Sequence, residues 1–344
     1  MKKTIAIAVS GGVDSLVSAF LLKQQSHVEL FGIHFTTGYE PHPVDIPCLS
    51  RQLGLEIFIV DLSKQFTHHV VDYFTSTYLS GQTPNPCIMC NQTIKFGALM
   101  EEAAMQRGAT HIATGHYARI KPDEQGVPTL YRGMDRIKEQ SYFLAMLTKS
   151  QLHNAIFPLG EMTKQEVVAL AHANHLSPPE KKESQDICFI KEPSFAGFIA
   201  THTKDGAFKP GPIVTPAGDI VGQHKGLHCY TVGQRRGLNC PGPAPYYVKK
   251  IDMANNHLVV GFKEDILESH FTVKQVNWLL STPLKNPMTV EAKIRYSHKG
   301  ETALISPCNN GITVEFNQPQ NAVTPGQGAV FYINDRVIGA GIIQ

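Results

Sequence analysis

No apolar run in this chain of 344 residues reaches membrane-spanning length, which argues against a helical membrane protein. The start does not read as a secretory leader. Met1-Lys2-Lys3-Thr4 runs straight into an alternating strand pattern, without an apolar h-region and small-residue cleavage site, so a cytoplasmic location is the default expectation. Cysteine is sparse, and the seven present (Cys48, Cys87, Cys90, Cys188, Cys229, Cys240 and Cys308) form an odd, scattered set that argues against a secreted disulfide framework. Neither sign of charge dominates. With 31 Lys and Arg against 29 Asp and Glu the formal net charge is +2, so any nucleic-acid partner has to be met by local clusters such as Lys181-Lys182, Arg235-Arg236, Lys249-Lys250 or Lys293 with Arg295. The 16 histidines come without an H-E-x-x-H or paired-cysteine zinc spacing. Internal repeats and low-complexity tracts are absent as well. What is present is 42% hydrophobic content, that of an ordinary globular chain long enough for two or three domains.

The most informative stretch is Ser10-Gly11-Gly12-Val13-Asp14-Ser15. It follows the apolar run 5–9 and precedes the helical pattern Leu16, Val17, Phe20, Leu21, so a strand feeds a glycine turn that opens a helix. Adjacent glycines let backbone N–H groups approach an anion, the serines add hydroxyl donors, and the helix N-terminus contributes partial positive charge. A nucleotide ligand is the expectation. The spacing and lysine of G-x-x-x-x-G-K-[ST] are missing, and the loop is too compact for G-x-G-x-x-G. It resembles the SGGxDS pyrophosphate loop of N-type ATP pyrophosphatases, whose members cleave ATP between the α and β phosphates to adenylate a carbonyl-type oxygen.

From residue 4 to about 176 strands and helices alternate. Residues 5–9, 28–35, 57–61 and 111–114 read as strands, and 16–25, 65–78 and 94–107 as amphipathic helices, which predicts a parallel sheet covered on both faces. Ligands bind at the carboxyl ends of such strands, where Ser10 to Ser15 and Thr114-Gly115-His116 both fall, pointing at one crevice. Residues 119–132, with a turn-rich 121–128, read as a hairpin. Past Ser177-Pro178-Pro179 the helical signal fades, and 209–243 is rich in glycine, proline and β-branched residues. From about 270, short strands at 289–296, 303–306, 313–316 and 329–333 alternate with turns and predict a small β-barrel. The expected organisation is an α/β domain over 1–190, a small, mostly β central domain over 191–268 and a C-terminal β-barrel over 269–344.

A second stretch, Thr83-Pro84-Asn85-Pro86-Cys87-Ile88-Met89-Cys90-Asn91, precedes the helix expected to open near Thr93. Two prolines stiffen the entry, Asn91 suits an N-cap, and a helix N-terminus lowers the pKa of a nearby thiol, so Cys90 is expected where a thiolate is favoured. Cys188 follows Lys181-Lys182, which favour a thiolate there too. Cys48, Cys229, Cys240 and Cys308 lack any such setting and read as structural.

Taken together, SGGVDS, TPNPxxxCNxxIKFG, ATGHYARI, the 135–143 stretch with Gln140-Ser141-Tyr142-Phe143, FPLG, KKxSxxICFI, Tyr230-Thr231-Val232-Gly233-Gln234-Arg235-Arg236-Gly237-Leu238 and Ala322-Val323-Thr324-Pro325-Gly326-Gln327 run nearly end to end. This set resembles the bacterial tRNA-uridine 2-sulfurtransferases, the tRNA-specific 2-thiouridylase (MnmA/TrmU) family. The resemblance implies an adenine nucleotide alpha hydrolase-like parallel sheet and an ATP- and magnesium-dependent thiolation of the wobble uridine 34 in tRNAs for lysine, glutamate and glutamine. It implies ATP contacts at Ala8, Val9, Ser10, Gly11, Gly12, Val13, Asp14, Ser15, His34 and Gly115, with Asp14 near the magnesium ion. It implies that Cys188 carries a persulfide received from a sulfur-relay protein or cysteine desulfurase, and that Cys90 frees the sulfur by forming a disulfide with Cys188. Target-base and tRNA contacts are implied at Asn85, Pro86, Cys87, His116, Lys138, Glu139, Gln140, Arg295, Tyr296 and Gln327.

Two departures stand out. Many members carry Asp where this chain has Cys87, so a carboxylate is lost and a C-x-x-C pair created; Cys87, Cys90 and Cys188 then form an alternative ligand set for a [4Fe-4S] cluster with a fourth iron open to sulfide. The segment 36–47 is shorter and less acidic than in many relatives, so gating or ATP contacts there are expected to differ. Competing readings are another adenylating enzyme acting at a different tRNA position, an argininosuccinate-synthetase-like ligase, which gives no reason for Cys90 and Cys188, and a non-catalytic RNA-binding module, which leaves SGGVDS unexplained.

Overall fold

Ile5, Ala6 and Ile7 are all buried, the mark of a strand covered on both faces rather than one. In a computed structural model, which describes residues 3–40, 42–179, 187–191, 195–203, 209–282 and 284–344, they belong to β1 (Lys3–Ala8) at the centre of a parallel sheet. The chain divides into two units: Met1–Val70, Cys87–Phe189 and Ile333–Ile338 form the first, and Val71–Pro86, Ile190–Tyr332 and Gly339–Gln344 the second. Lys181 and Lys182 lie outside the described residues.

In the first unit β1 pairs in parallel with β2 (Val28–Thr36), which pairs with β3 (Ile57–Asp61); on its other side it pairs with β4 (His111–Ala113). A hairpin of β5 (Ala118–Pro122) and β6 (Pro128–Arg132) follows, as expected, and β7 (Ala155–Ile156) completes the parallel sheet in the order β3-β2-β1-β4-β7. The strand order reverses between β1 and β4, and at such a switch point the two outgoing loops part to leave a crevice. The helix Val13–Lys23 covers one face with Leu16, Val17, Ala19 and Leu22, meeting Leu49 and Leu53 of the helix Ile46–Leu53 and Val167 and Ala171 of the helix Lys164–Ala173. Burying a leucine such as Leu16 or Leu22 contributes about 1.5–3 kcal/mol. The helix Lys164–Ala173 is started by a capping box in which Thr163 and Glu166 bond each other's backbone N–H.

The second unit holds two β systems. β8 (Gly211–Val214), β9 (Ile220–His224), β10 (Tyr247–Asp252) and β11 (His257–Gly261) form a sheet in the order β10-β11-β8-β9 around Ile213, Leu227, Tyr230, Leu238, Val248, Leu258 and Val260. β12 (Leu267–Trp278), β13 (Met288–Lys293), β14 (Glu301–Cys308), β15 (Gly311–Asn321), β16 (Gly328–Ile333) and β17 (Arg336–Ile343) follow in the order β12-β15-β14-β13-β16-β17, and β12 pairs back onto β17 to close a barrel. Closure removes both sheet edges. The barrel expectation is met, with one long strand, β12, that the short-strand reading lacked.

Candidate active site

The SGGVDS loop leaves β1 and turns at Gly11, whose φ of +90° a side chain rarely adopts. A Cβ there would also press on Pro179 and Val44 at 3.3 Å. The helix then opens with no side-chain cap, so its first N–H groups keep no side-chain partner and suit an anion. Ser15 Oγ donates to Gly12 O at 2.8 Å and accepts from Ser10 N at 3.3 Å, which folds the loop around the helix start. Ala8, Val9 and Val13 supply its backbone path.

Asp14 is the loop's carboxylate, and two other segments, one holding Lys164 and one holding Gly115 and Tyr117, meet on it. Lys164 Nζ donates to Oδ1 at 2.8 Å and to Oδ2 at 2.9 Å, and Tyr117 Oη donates to Oδ1 at 2.7 Å. Gly115 packs so closely that an added Cβ would lie 2.9 Å from the Asp14 carbonyl carbon. Tyr117 is itself fixed by Gln140, which donates its backbone N–H to Tyr117 O at 2.8 Å and accepts from Tyr117 N–H through Oε1 at 3.0 Å. Asp135 accepts N–H groups from Ile137, Lys138 and Lys164. Burial raises its pKa, but those donors outweigh it and hold the carboxyl below the usual carboxylate range. His34, at the end of β2, is buried and donates from Nδ1 to Val9 O at 2.7 Å, which leaves Nε2 as an acceptor. Hydroxyls, glycine N–H groups, a lysine and one carboxylate together suit a magnesium-bound triphosphate.

The thiols are positioned differently from expectation. The helix does not begin near Thr93 but at Pro86, where proline costs nothing because its N–H would be unpaired anyway. It continues as a π-helical segment, Cys90–Ala98, and then as the α-helix Leu99–Arg107. The wide turn frees carbonyls, and Gln151 collects two of them, donating from Nε2 to Gln92 O at 2.7 Å and Phe96 O at 3.1 Å. Asn91 is inside the helix and buried, donating to Phe143 O at 3.1 Å, and caps nothing. Cys90 therefore lies past the first turn, and the expected lowering of its pKa is overturned: burial pushes the thiol up to about 12, against the pull of the Lys95 ammonium. Burial also raises the Cys87 and Cys188 thiols, with Lys95 again pulling down. Cys87 and Cys188 are nevertheless exposed as residues, and Cys90 is half-buried.

Lys95, five residues beyond Cys90 in the π-helical segment, thus pulls down the pKa of all three thiols against burial. His116 is drawn into the same neighbourhood. It is buried between Phe96 and Phe157, with Nδ1 2.7 Å from Thr114 Oγ1, and burial first and Lys95 second lower its pKa well below the ordinary value. Cys87 and Cys90 feel the charge of Cys188, but among the described residues no three His, Cys, Asp or Glu side chains converge closely enough to hold a metal ion.

The remaining expected tRNA contacts divide between the units. In the first, Lys138 is half-buried, while Glu139 is buried, its carboxylate accepting from Ser141 N at 3.0 Å and Oγ at 2.6 Å. In the second, Gln327 donates from Nε2 to Thr83 O at 3.1 Å and Pro84 O at 2.8 Å, holding the residues that lead into Asn85 and Pro86. Asn85 is buried, and its N–H donates to Tyr73 Oη at 3.3 Å. Arg295 donates to Asn321 O at 2.9 Å, and Tyr296, 37% exposed, lies 5.8 Å from the Lys293 ammonium. Sequence reasoning gave no role to Lys95, Gln151 or Lys164. Lys95 stood in plain view in the IKFG motif, whereas the partners of Gln151 and Lys164 are far away in the chain.

Family profiles match along the chain: one described as tRNA methyl transferase HUP domain over residues 3–192, one as tRNA methyl transferase PRC-barrel domain over 197–262, and one as aminomethyltransferase beta-barrel domain over 268–343. The chain is 50% identical over 343 residues to the tRNA-specific 2-thiouridylase MnmA of Desulfosudis oleivorans, covering 99% of this chain and 94% of that protein. It is 42% identical over 354 residues to the MnmA of Magnetococcus marinus, covering 98% of each. Against the MnmA of Heliobacterium modesticaldum it is 40% identical over 359 residues, covering 100% of this chain and 93% of that protein. Identity at this level over whole chains, together with the nucleotide loop and the thiol helix described above, means that the chain belongs to the tRNA-specific 2-thiouridylase family.

Proposed function

We propose that the chain is an ATP-dependent tRNA-uridine 2-sulfurtransferase acting on wobble uridine 34 of the tRNAs for lysine, glutamate and glutamine. One observation carries the reading: the pyrophosphate loop and the thiol helix are linked through adjacent residues. Gly115 packs on Asp14, and its neighbour His116 packs, with ring centroids 6.3 Å apart, against Phe96 of the segment that begins at Cys90. Activation and sulfur delivery can then act on one base.

In the first half-reaction the C2 oxygen of uracil attacks the α phosphate of ATP, giving an O-adenylate and pyrophosphate. Ser10 to Ser15 bind the phosphates, His34 Nε2 and Gly115 face the adenosine, and Lys164 presents its ammonium beside the departing group. Asp14 would hold the magnesium ion, which would neutralise the charge that develops on pyrophosphate. In the second half the terminal sulfur of a Cys188 persulfide attacks C2. Cys90, as thiolate, attacks the Cys188 sulfur; the S–S bond breaks, its electron pair stays on the transferred sulfur, and AMP leaves. The products are 2-thiouridine, AMP and a Cys90–Cys188 disulfide, which an external thiol reductant must reopen. A cysteine desulfurase or sulfur-relay protein supplies the persulfide sulfur.

A Cys90 thiol held protonated by its surroundings suits this order, and the Lys95 ammonium, which pulls its pKa down, favours the thiolate when the persulfide is in place. Neutral His116 is available as a proton acceptor. The wobble base has to leave the anticodon stack to be reached. The test is nucleoside mass analysis of tRNA incubated with the chain, ATP and a sulfur donor. Thiouridine at position 34 should require ATP and disappear with Cys90→Ala or Cys188→Ala; undiminished product from both variants would falsify the assigned roles.

A further inference from the structure

Cys188 lies in a short described stretch, residues 187–191, whose buried member is its neighbour Phe189, 2% exposed. Phe189 is gripped by two rings. Phe66 meets it edge-on with centroids 5.7 Å apart, Tyr39 meets it at 6.0 Å, and Tyr39 and Phe66 touch each other at 5.8 Å, so the three rings form a closed triangle. Phe66 is itself buried at the end of the Ser63–Phe66 turn.

Tyr39 comes from the segment after β2, and that segment is tightly built. Glu40 gathers three donors on its carboxylate: Thr37 N at 2.5 Å, Thr37 Oγ1 at 2.7 Å and Gly38 N at 3.1 Å. Gly38 takes a φ of +81°, which the turn requires and a side chain would resist. Tyr39 N–H donates back to Thr37 Oγ1 at 3.3 Å, and Leu62 N–H ties Thr36 O to the end of β3 at 2.9 Å. A rigid path thus runs from the sheet through residues 37–40 to the Tyr39 ring, and from there to Phe189 and Cys188.

We propose that Tyr39 is a positioning residue for the sulfur step: by clamping Phe189 it fixes Cys188 relative to Cys90. This rests on the reading of Cys188 and Cys90 as the sulfur pair. The short segment 36–47, which departs from many relatives, then has a definite task. Each ring contact is worth roughly a two- to tenfold shift in the population of the clamped arrangement, and the rate of a step between two bound sulfurs follows their effective concentration.

The experiment is a redox titration of the full-length reduced chain against glutathione and glutathione disulfide, with acid quenching and peptide mass analysis of the Cys90–Cys188 bond. In that reaction the two thiols give two electrons and two protons to glutathione disulfide, yielding two glutathiones. Tyr39→Ala should lower the effective concentration of the pair by about tenfold or more, with Tyr39→Phe within about twofold of wild type because the ring is kept. Phe189→Leu, which keeps apolar bulk, should follow Tyr39→Ala. In turnover the loss should fall on kcat per ATP-binding site, the sites being counted by calorimetric titration, with KM for ATP unchanged; a loss matched by an equal loss of ATP-binding sites would be mere unfolding. A Tyr39→Ala chain that matches wild type in the titration overturns the proposal while leaving the sulfur pair intact. A wild-type chain that never forms the Cys90–Cys188 bond overturns the pair itself, and the positioning role with it.

Discussion

Lys164 holds Asp14 by both carboxylate oxygens, its Nζ 2.8 Å from Oδ1 and 2.9 Å from Oδ2, across 150 residues of chain. The pair is only partly exposed, 16% for the lysine side chain and 32% for the aspartate, so solvent screens it weakly. An ammonium in this place neutralises the loop's carboxylate, and on the proposed function it is placed to meet phosphate oxygens.

Replacing it therefore harms the nucleotide step. Lys164→Met should raise the dissociation constant for ATP at least about tenfold, near 1.4 kcal/mol, and leave tRNA affinity unchanged. Calorimetric titration of ATP checks this, and an unaltered constant would remove Lys164 from the site.

Gly115→Ala tests the close packing of the two strand ends. The new methyl would sit 2.9 Å from the Asp14 carbonyl carbon and 3.1 Å from its oxygen, neither of which can swing away as a side chain can. A cost of about 1–3 kcal/mol is expected, carried as displacement of Asp14. Thermal melting should show a lower midpoint and, more tellingly, a smaller stabilisation by added ATP than in wild type.

The Cys90 thiol sets a pH dependence with a definite sign. Its folded pKa, pushed up to about 12, exceeds that of an ordinary thiol, so the folded chain binds the proton more tightly than the unfolded one. Stability from this group is full below the unfolded value and is lost as pH rises from there towards the folded value. Denaturant midpoints should fall as pH rises from about 8.5, the ordinary thiol value, towards about 12, and fall less steeply in Cys90→Ala. Lys95→Gln should push alkylation of Cys90 to still higher pH, whereas Lys95→Arg should keep the wild-type profile.

Iron content discriminates between sulfur carriers. Protein purified without oxygen and then stripped of iron by a chelator should keep its full thiolation activity when supplied with a persulfide donor. Loss of activity on stripping, restored by iron and sulfide, would revive Cys87, Cys90 and Cys188 as cluster ligands.

The pyrophosphate loop was legible because everything that defines it is local: a buried strand, two glycines and a helix start within a dozen residues. The parallel sheet and the hairpin at β5 and β6 were legible for the same reason, since period and turn residues report them directly. The π-helical segment was not. Its apolar spacing resembles that of an α-helix, and what sustains it is a side-chain amide, Gln151, more than fifty residues downstream of the carbonyls it bonds. Prolines 84 and 86 were read as lying before the helix, although Pro86 is its first residue. The thiol pKa was misjudged because a helix terminus is visible in sequence and burial is not. Tyr39 was invisible in another way, since an aromatic residue in a loop gains meaning only from the rings it meets.

The most direct test of the whole account is a single turnover with sulfur-labelled persulfide placed on Cys188, excess unmodified tRNA, ATP and no reductant. One labelled 2-thiouridine, one AMP and one Cys90–Cys188 disulfide should appear per active chain, and none of the three without ATP. Labelled thiouridine formed without ATP, or formed with Cys90 still a free thiol, would contradict the coupling of adenylation to sulfur transfer.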